Sequence, residues 1–483
     1  MTKYDTLFIG GKWVAPSSGE SIEVTSPATL QVVGSVPVAD NADVDRAIAA
    51  AVAVNEDGTW ARTAPVDRAA ILTRAAEIIG NRKQELIDIT SAEMGATPAG
   101  IDMMQITPSL ATLAAYAALA ETFHWEEKRT GMFGESRVIR EPVGVVAAVT
   151  AWNVPIFLAI NKLAPAIMAG CTIVLKPAPD APLSTNLIAD IFAEAGLPEG
   201  VLSVVHGGAA TGEHLVSHPD VDKVTFTGST AVGKHIGKIA AEQLKRCSLE
   251  LGGKSAAIIL EDADIAASAP MLAMSGLMNS GQACVAQTRI LAPRSRYDEV
   301  VEALVNVTSM MFNVGDPADP ASQLGPVINE SQRDKIEGYI AKGKAEGARV
   351  VLGGERPTHL GDGYYVTPTI FADVDNTMTI AREEIFGPVL SVLPYDTEEE
   401  AIAIANDSDY GLAGTVWTTD IDHGLEVARK IRTGTYGINW YAFDPGSPFG
   451  GYKNSGIGRE CGPEGIDAFC EIKSVLMPPG YTS

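Results

Sequence analysis

Cysteine is scarce in this chain. Five occur in 483 residues (Cys171, Cys247, Cys284, Cys461 and Cys470), irregularly spaced and with no Cys-x-x-Cys. An odd, scattered set argues against a disulfide framework and against a structural zinc site, and it fits a reducing, cytoplasmic setting. The 7 histidines read as surface or core residues, and no metal site is expected. Basic residues are in deficit, with 36 Lys and Arg against 60 Asp and Glu, a net charge of −24 and no basic run. Nucleic acid is therefore not an expected partner, because phosphate backbones reward clustered Lys and Arg. A long uninterrupted apolar run is also missing. The most apolar stretch, 143–175, is broken by Pro155, Lys162 and Pro165 and contains Asn153 and Asn161, so it reads as buried strand–helix–strand core and not as a membrane span. The opening Met1-Thr2-Lys3-Tyr4-Asp5 lacks the charged-then-apolar pattern of a secretion signal.

What is present is alternation. A chain of this length buries more than one core, and two or three structural units are expected. Leu7-Phe8-Ile9-Gly10-Gly11-Lys12-Trp13-Val14 reads as a hairpin around a Gly-Gly turn. Residues 43–53 have helical spacing behind Asn41 as a cap, and 65–93 read as one long helix ended by Gly95. From Val145 strands (145–150, 171–175, 201–205, 223–226) alternate with helices (155–169, 183–194, 211–216, 231–243). After Gly253 a second set begins, with a strand at 256–260, helices at 265–279, 331–346, 397–405 and 421–430, and strands near Val350, Val389 and Gly414. This rhythm predicts an α/β fold with two doubly wound, Rossmann-like domains. Segments 127–140 and 471–477 fit neither set and read as strands that pair with each other or with another subunit.

Several short motifs carry candidate chemistry. Cys284 closes Ser280-Gly281-Gln282-Ala283-Cys284, a thiol with small neighbours and so within reach of a substrate. Glu250 stands in Leu249-Glu250-Leu251-Gly252-Gly253-Lys254, a carboxylate beside a glycine turn. The pair points to covalent thiol chemistry followed by base-assisted hydrolysis. The alternation of 247–251 nevertheless puts Glu250 on the face opposite Leu249 and Leu251, which by itself is an exposed position. Phe226-Thr227-Gly228-Ser229-Thr230-Ala231-Val232-Gly233 follows a strand and opens a helix, where free N–H groups and the helix dipole suit phosphate. It lacks the G-x-G-x-x-G spacing, so alone it is only turn geometry. Lys176-Pro177 ends a strand, at the ligand edge of a parallel sheet, and alone is a surface lysine. Trp152-Asn153-Val154-Pro155 follows another buried strand; its amide can donate to a developing oxyanion, though Asn is common in turns. Glu384-Ile385-Phe386-Gly387-Pro388 offers a carboxylate for ribose hydroxyls and a ring for a flat base, or simply a strand entry. The glycine-dense Pro448-Phe449-Gly450-Gly451-Tyr452-Lys453 and 454–460 read alone as an ordered loop.

In order, these segments resemble the aldehyde dehydrogenase superfamily, with matches from Trp152 through Glu460 and compatible flanks. The resemblance implies that Cys284 attacks an aldehyde, that the Asn153 amide and the Cys284 N–H hold the oxyanion, that Glu250 activates water on the thioester, and that Lys162 lies near the oxyanion and proton path. It places NAD, with NADP also admitted, against Thr150, Ala151, Trp152, Lys176, Gly208, Gly212, Thr227, Gly228, Ser229, Gly233, Leu251, Glu384 and Phe386. It places the substrate against Val154, Leu158, Asn161, Ala283, Val285, Asn439 and Tyr441, with Trp440 and Phe443 adding wall. It divides the chain into a dinucleotide-binding domain (1–123 and 143–252), a catalytic domain (253–455) and a small β flap (124–142 and 465–483) that joins subunits into dimers or tetramers.

Pro179, followed by Asp180, stands where many NAD-preferring members carry Glu, so the usual ribose carboxylate is missing or displaced. Val154 and Asn161 replace residues that are commonly bulkier, which widens the expected substrate tunnel. Three other readings compete. A coenzyme-A-acylating enzyme of this fold generally lacks the Glu base, and a silent structural relative is free to lose the nucleophile; Glu250, Cys284 and Asn153 are all present. A cofactor-free cysteine hydrolase needs a His partner that no motif supplies.

Overall fold

The computed structural model describes residues 2–481. Met1, Thr482 and Ser483, at the outer ends of the first and last assigned segments, lie outside the described residues. Two large, mainly parallel sheets organise the chain. The first has eight strands, in the order Gly456–Ile457, Arg246–Glu250, Lys223–Thr227, Val145–Val149, Thr172–Lys176, Leu202–Val204, Leu7–Ile9 and Lys12–Val14. Its five central strands run parallel, and their residues are almost wholly buried, as a sheet covered by helices on both faces requires. The strand order reverses between Val145–Val149 and Lys223–Thr227. A crevice opens at such a reversal, outside the carboxyl ends of the two strands. The Trp152-Asn153 and Gly228-Ser229 motifs leave those two ends.

The second sheet has seven strands: Arg349–Leu352, Thr369–Ala372, Val389–Tyr395, Arg289–Pro293, Ala256–Ile259, Gly414–Trp417 and Gly437–Ile438. All its pairings are parallel except that of the edge strand Arg349–Leu352. Two apolar cores sandwich each sheet.

Most expected elements are present, and the helices Pro155–Ala169, Leu183–Glu194 and Ile421–Lys430 have the expected bounds. Pro155 at the first turn and left-handed Gly170 (φ 88°) fix both ends of the first of these. Elsewhere the boundaries shift. The cap of Asn41–Asp57 is Asp40, one residue before the expected Asn41, and Asp40 and Asp43 form a reciprocal capping box. The single helix expected over 65–93 is two, Pro65–Asn81 and Lys83–Met94, because Arg82 leaves helical geometry between them. The apolar stretch after Gly95 also folds as helix, Pro98–Ile101 and Thr107–Ala118, joined by a π-turn at Asp102–Ile106 that obscures the period in the sequence. The helix Tyr297–Met311 and the strands Arg289–Pro293 and Thr369–Ala372 complete the second unit without having been foreseen.

The segments outside both alternations form a sheet of their own. Glu126–Gly131 and Gly134–Pro142 make a hairpin, and Cys470–Leu476 pairs with its second strand over seven residue pairs. The first segment is thus two strands. Cys470 is already buried within the chain, whereas Met132, Phe133, Ile472 and Leu476 remain exposed. Among the described residues no helix is long and apolar enough to cross a membrane, and no group of His, Cys, Asp and Glu is arranged to hold a metal ion.

Candidate active site

The candidate nucleophile, Cys284, follows a strained turn. The helix Ile265–Leu277 ends in a tight turn, Met278–Gly281, where Asn279 (φ 51°), Ser280 (φ 56°) and Gly281 (φ 73°) are all left-handed. Non-glycine residues in that region cost about 1–2 kcal/mol each, and such strain persists only when the surroundings hold it. Here they do. The Ser280 hydroxyl donates to Gly325 O (2.7 Å), Asn279 Nδ2 to Asn153 O (2.8 Å) and Gln282 Nε2 to Asn279 O (3.1 Å), while Gln282 Oε1 accepts from Ile328 N (2.9 Å). Two glycines are sterically required: a Cβ on Gly281 would overlap the Gly387 carbonyl, and one on Gly253 would overlap the carbonyl of Cys284 itself. The Gly-Gln-x-Cys and Gly-Gly motifs therefore fit into each other.

Cys284 faces a narrow opening. Burial, reinforced by the charges of Glu384 and Glu250, pushes its thiol up to about 12. Asn153, buried, donates from Nδ2 to Gln282 O at 3.1 Å, which fixes the amide against the Cys284 loop and leaves its second N–H for another acceptor. Gln105, on the π-turn, accepts from Ile156 N at 3.2 Å and so holds the helix start that follows Asn153.

Glu250 is not exposed, as strand alternation alone implied; it is 4% accessible. The returning strand Gly456–Ile457 pairs over Leu249 and Glu250, and the backbone at Gly450 packs against Glu250 Oε1. Both carboxylate oxygens lack a hydrogen-bond partner. Burial first, and then Glu460, raise its pKa well above the usual carboxylate range, against the opposing pull of Lys162 and Arg459. Lys162 is buried and ion-paired to Glu460 at 2.7 Å.

One cleft gathers Ala151, Trp152, Asn153, Thr227, Gly228, Ser229, Leu251, Gly252, Cys284, Glu384 and Phe386. Glu384 Oε1 accepts from Gly253 N at 2.8 Å, and a Cβ on Gly252 would strike its other oxygen. Phe386 is left-handed (φ 59°) and meets Trp152 edge-on at 5.4 Å. Lys176 is buried; its Nζ bonds only Pro177 O, at 3.2 Å, and burial pushes it down to about 8. Its stem lies against Gly212, in the helix Ala209–Ser217 that Gly208 precedes. Thr150 donates its N–H to Lys176 O, and Gly233 packs on Leu251. The set fits a dinucleotide on its own terms: a helix N-terminus at Ser229 for phosphate, a carboxylate and an ammonium for hydroxyls, flat rings, and unpartnered buried oxygens at Thr227 Oγ1 and Gln332 Oε1.

On the other side of Cys284, Val154, Leu158 and Ala283 are buried, with Val285 half-buried. Tyr441 bonds Thr435 Oγ1 at 2.9 Å, and burial first, then the charges of Cys284 and Glu250, raise its pKa. Asn439 spends its amide on Thr418, accepting from N and donating to O, at the edge of the second sheet. Asn161 is enclosed with Glu460. Trp440 is 61% exposed.

Sequence reasoning missed Glu460, Gln332, Lys335, Gln105, Phe157 and Phe449. Gln332 and Lys335 complete the cleft from the helix Glu330–Ala345. Phe157, Phe443 and Phe449 form a chain of rings at 4.7 and 5.7 Å. Only Glu460 had a signal, an acid at the end of a glycine-dense loop.

Residues 13–475 match the model of the aldehyde dehydrogenase family. A geranial dehydrogenase of Castellaniella defragrans is 48% identical over 472 residues, 98% of each chain. A 3-succinoylsemialdehyde-pyridine dehydrogenase of a Pseudomonas species is 42% identical over 479 residues, 99% of each chain. The crystal structure of a Mycobacterium tuberculosis aldehyde dehydrogenase complexed with NAD+ superposes with a TM-score of 0.98 at 61% identity, covering 100% of both chains. That of a cysteine-to-alanine variant of aldehyde dehydrogenase C from Pseudomonas syringae, complexed with NAD+ and octanal, gives 0.94 at 41% identity and covers 98% of this chain and 96% of that one.

Proposed function

The chain belongs to the aldehyde dehydrogenase family, and on that premise we propose how its own residues carry the reaction and which aldehydes it takes. The enzyme oxidises an aldehyde to a carboxylic acid with NAD+ as acceptor. The observation that carries the assignment of roles is the convergence of Cys284, Asn153 and Glu250 beside the dinucleotide cleft.

The Cys284 sulfur attacks the aldehyde carbon. Its proton has to leave as it does so, and Glu250, held at high proton affinity, is the acceptor within the same pocket. The Asn153 amide and the Cys284 N–H hold the oxyanion of the thiohemiacetal. When bound, NAD+ supplies the two-electron acceptor that turns the thiohemiacetal into a thioester. Glu384 would hold ribose hydroxyls, Lys176 the adenosine ribose, and Ser229 with its helix start the pyrophosphate, with Trp152 and Phe386 at the ring end. Glu250 then takes the proton of a water that attacks the thioester carbon, the C–S bond breaks, and the acid leaves.

The substrate is an apolar aldehyde. Val154, Leu158, Ala283, Val285 and Tyr441 form the reacting end of its channel, and Phe157, Phe443 and Phe449 the outer wall, a lining that gains by burying hydrocarbon and offers no charge. The geranial and octanal of the two relatives are of this class. A panel of aliphatic, aromatic and terpenoid aldehydes, followed by NADH absorbance, tests the reading; preference for short, charged aldehydes would overturn it.

The domains are 1–123 with 143–252 for the dinucleotide and 253–455 for catalysis; 124–142 with 465–483 form the flap. The flap joins subunits into a homo-oligomer, a dimer or tetramer, in the cytoplasm. The support is the exposed apolar edge of its sheet, Ile472, Val475 and Leu476 with Met132 and Phe133 at the hairpin tip. Truncation after Ala468 yields smaller species or aggregates by light scattering; a full-length active monomer at micromolar concentration would refute the assignment.

A further inference from the structure

The family resemblance puts Asn161 on the substrate channel, yet its side chain is 2% accessible and spends both ends inside a closed polar pocket. Its Nδ2 donates to Glu460 Oε2, and its Oδ1 accepts from the Cys461 thiol at 3.3 Å. The neighbouring Lys162 reaches the other oxygen, Glu460 Oε1, at 2.7 Å, and Thr225 Oγ1 at 3.2 Å. Two consecutive helical side chains therefore grip the two oxygens of one carboxylate. Glu460 is in turn fastened by its backbone, its N–H and C=O both pairing with Phe449 at 2.7 Å, one residue before the Gly450 that abuts Glu250. Cys461, left-handed at φ 64°, donates its N–H to the Tyr116 hydroxyl at 2.9 Å and closes the back of the pocket.

A buried carboxylate oxygen without a donor is costly, on the order of 1–3 kcal/mol or more. Lysine alone satisfies one side of Glu460. A bulky apolar or aromatic residue at 161 would leave Oε2 without this donor, and asparagine supplies one without adding charge. We propose that Asn161, with Lys162, is a two-point clamp that holds Glu460 behind Glu250 and so sets how readily Glu250 takes the water proton during thioester hydrolysis. Asn161 is thus a positioning residue, acting through Glu460, and not part of the channel wall. The inference rests on the reading of Glu250 as the base. The clamp takes no part in the bond changes: the water oxygen bonds the thioester carbon, its proton passes to Glu250, and the C–S bond breaks. The groups whose charge or titration bears on the carboxylate pair are Lys162, Arg459, Cys461, Tyr116, Lys223, Cys284 and Tyr441.

The test compares Asn161→Asp and Asn161→Leu in the full-length enzyme with a saturating apolar aldehyde and NAD+. Two readouts are taken across pH: steady-state turnover, and acyl-enzyme measured by intact-protein mass. Asn161→Asp adds a third carboxylate, so the acid limb of deacylation moves to higher pH by about one unit, and near neutral pH hydrolysis slows about tenfold while acyl-enzyme accumulates. Asn161→Leu removes the donor, loosens the hold on the Glu460 carboxylate behind Glu250 and so relieves Glu250, and the limb moves the other way. Shifts in opposite directions are not produced by a loss of packing. An unmoved limb in whichever variant folds, or a changed KM for aldehyde with no acyl-enzyme, would overturn the clamp and return Asn161 to the channel wall. Glu250→Gln in the same assay separates the two levels: if it fails to accumulate acyl-enzyme, Glu250 acts before the thioester forms and not chiefly on the water, and the clamp fails with that reading.

Discussion

The Cys284 turn and the Glu250 pocket face one reacting centre, yet they are built on opposite principles. The turn is fixed by backbone: three successive left-handed residues, two glycines pressed against carbonyls, and side-chain amides and a hydroxyl spent on holding them. The pocket is fixed by burial and charge: Glu250 has no hydrogen-bond partner at either oxygen, and its burial first, then Glu460 against Lys162 and Arg459, decide where its proton sits. A nucleophile has to be placed within a fraction of an ångström, and rigid backbone does that. A base has to change protonation during the cycle, and a carboxylate bound by fixed donors would be locked in its charged form. The difference separates what mutation does at each place: geometry is lost on one side, proton affinity on the other.

Removing the sulfur is the most severe way to break the pair. Cys284→Ala is expected to lower turnover about 10³-fold or more, while NAD+ binding, followed by nucleotide fluorescence quenching, is retained. Near-normal turnover would end the covalent mechanism. Cys171, Cys247 and Cys470 lie outside the cleft and touch none of the catalytic groups, and replacing them one at a time leaves dehydrogenase activity in place.

Glu250→Gln attacks the other side and should cost about 10²–10⁴-fold in the steady state. Stopped-flow NADH absorbance reads the outcome as a burst followed by a stall if Glu250 acts chiefly on water. A lost burst means that its role in taking the Cys284 proton dominates. The pH dependence carries the sign of the raised proton affinity. A carboxyl raised by burial and by Glu460 is protonated at the acid end and becomes the competent base only as pH rises through its elevated pKa. Deacylation therefore keeps increasing with pH beyond the range in which an ordinary carboxyl has already ionised. A flat profile from pH 5 to 9 contradicts this.

The two sides were not equally legible in sequence. Gly253, Gly281 and Cys284 are local motifs, and their spacing records the steric fit that the structure shows. The burial of Glu250 was unreadable, because the segment that covers it, Gly456–Ile457, comes about 200 residues later in the chain and pairs at a sheet edge. Period alone placed the residue outside. Glu460 showed only as an acid at the end of a glycine-dense loop, because its partners Asn161 and Lys162 come far earlier in the chain, and Asn161 was read by analogy as channel wall because sequence spacing cannot say which neighbour a helical side chain meets. The alternating α/β frame was plain, since buried parallel strands read as apolar runs. The helices at 98–118 were not, since the π-turn Asp102–Ile106 breaks the 3.6-residue period.

A subtler test leaves Cys284 in place and bends its support. In Gly253→Ala the new methyl overlaps the Cys284 carbonyl, so the nucleophile loop has to shift. A displacement of about 1 Å costs on the order of 10²-fold in rate. The loss should fall on the burst and the steady state together, which distinguishes it from Glu250→Gln. Unchanged burst kinetics would mean that the loop is less constrained than its contacts imply.

The smallest effect lies away from both, at the adenosine end of the cleft. Lys176 is buried, with one weak backbone partner, and Pro179 stands where a ribose carboxylate is usual, while the adjacent Asp180 is engaged by Asn329 Nδ2 at 2.9 Å. With no acidic side chain free there, NADP is expected to be used measurably, though less well than NAD+. Pro179→Glu adds an acceptor for the ribose hydroxyls and repels a 2′-phosphate. The position is half-buried, so the gain is screened and amounts to about 1 kcal/mol, near a fivefold rise in the ratio of kcat/KM for NAD+ over NADP. Parallel titration of both cofactors at constant ionic strength reads it directly. An unchanged ratio would move the discriminator to another part of the cleft, and the neighbourhood of Lys176 at Gly208 and Gly212 would be the next place to vary.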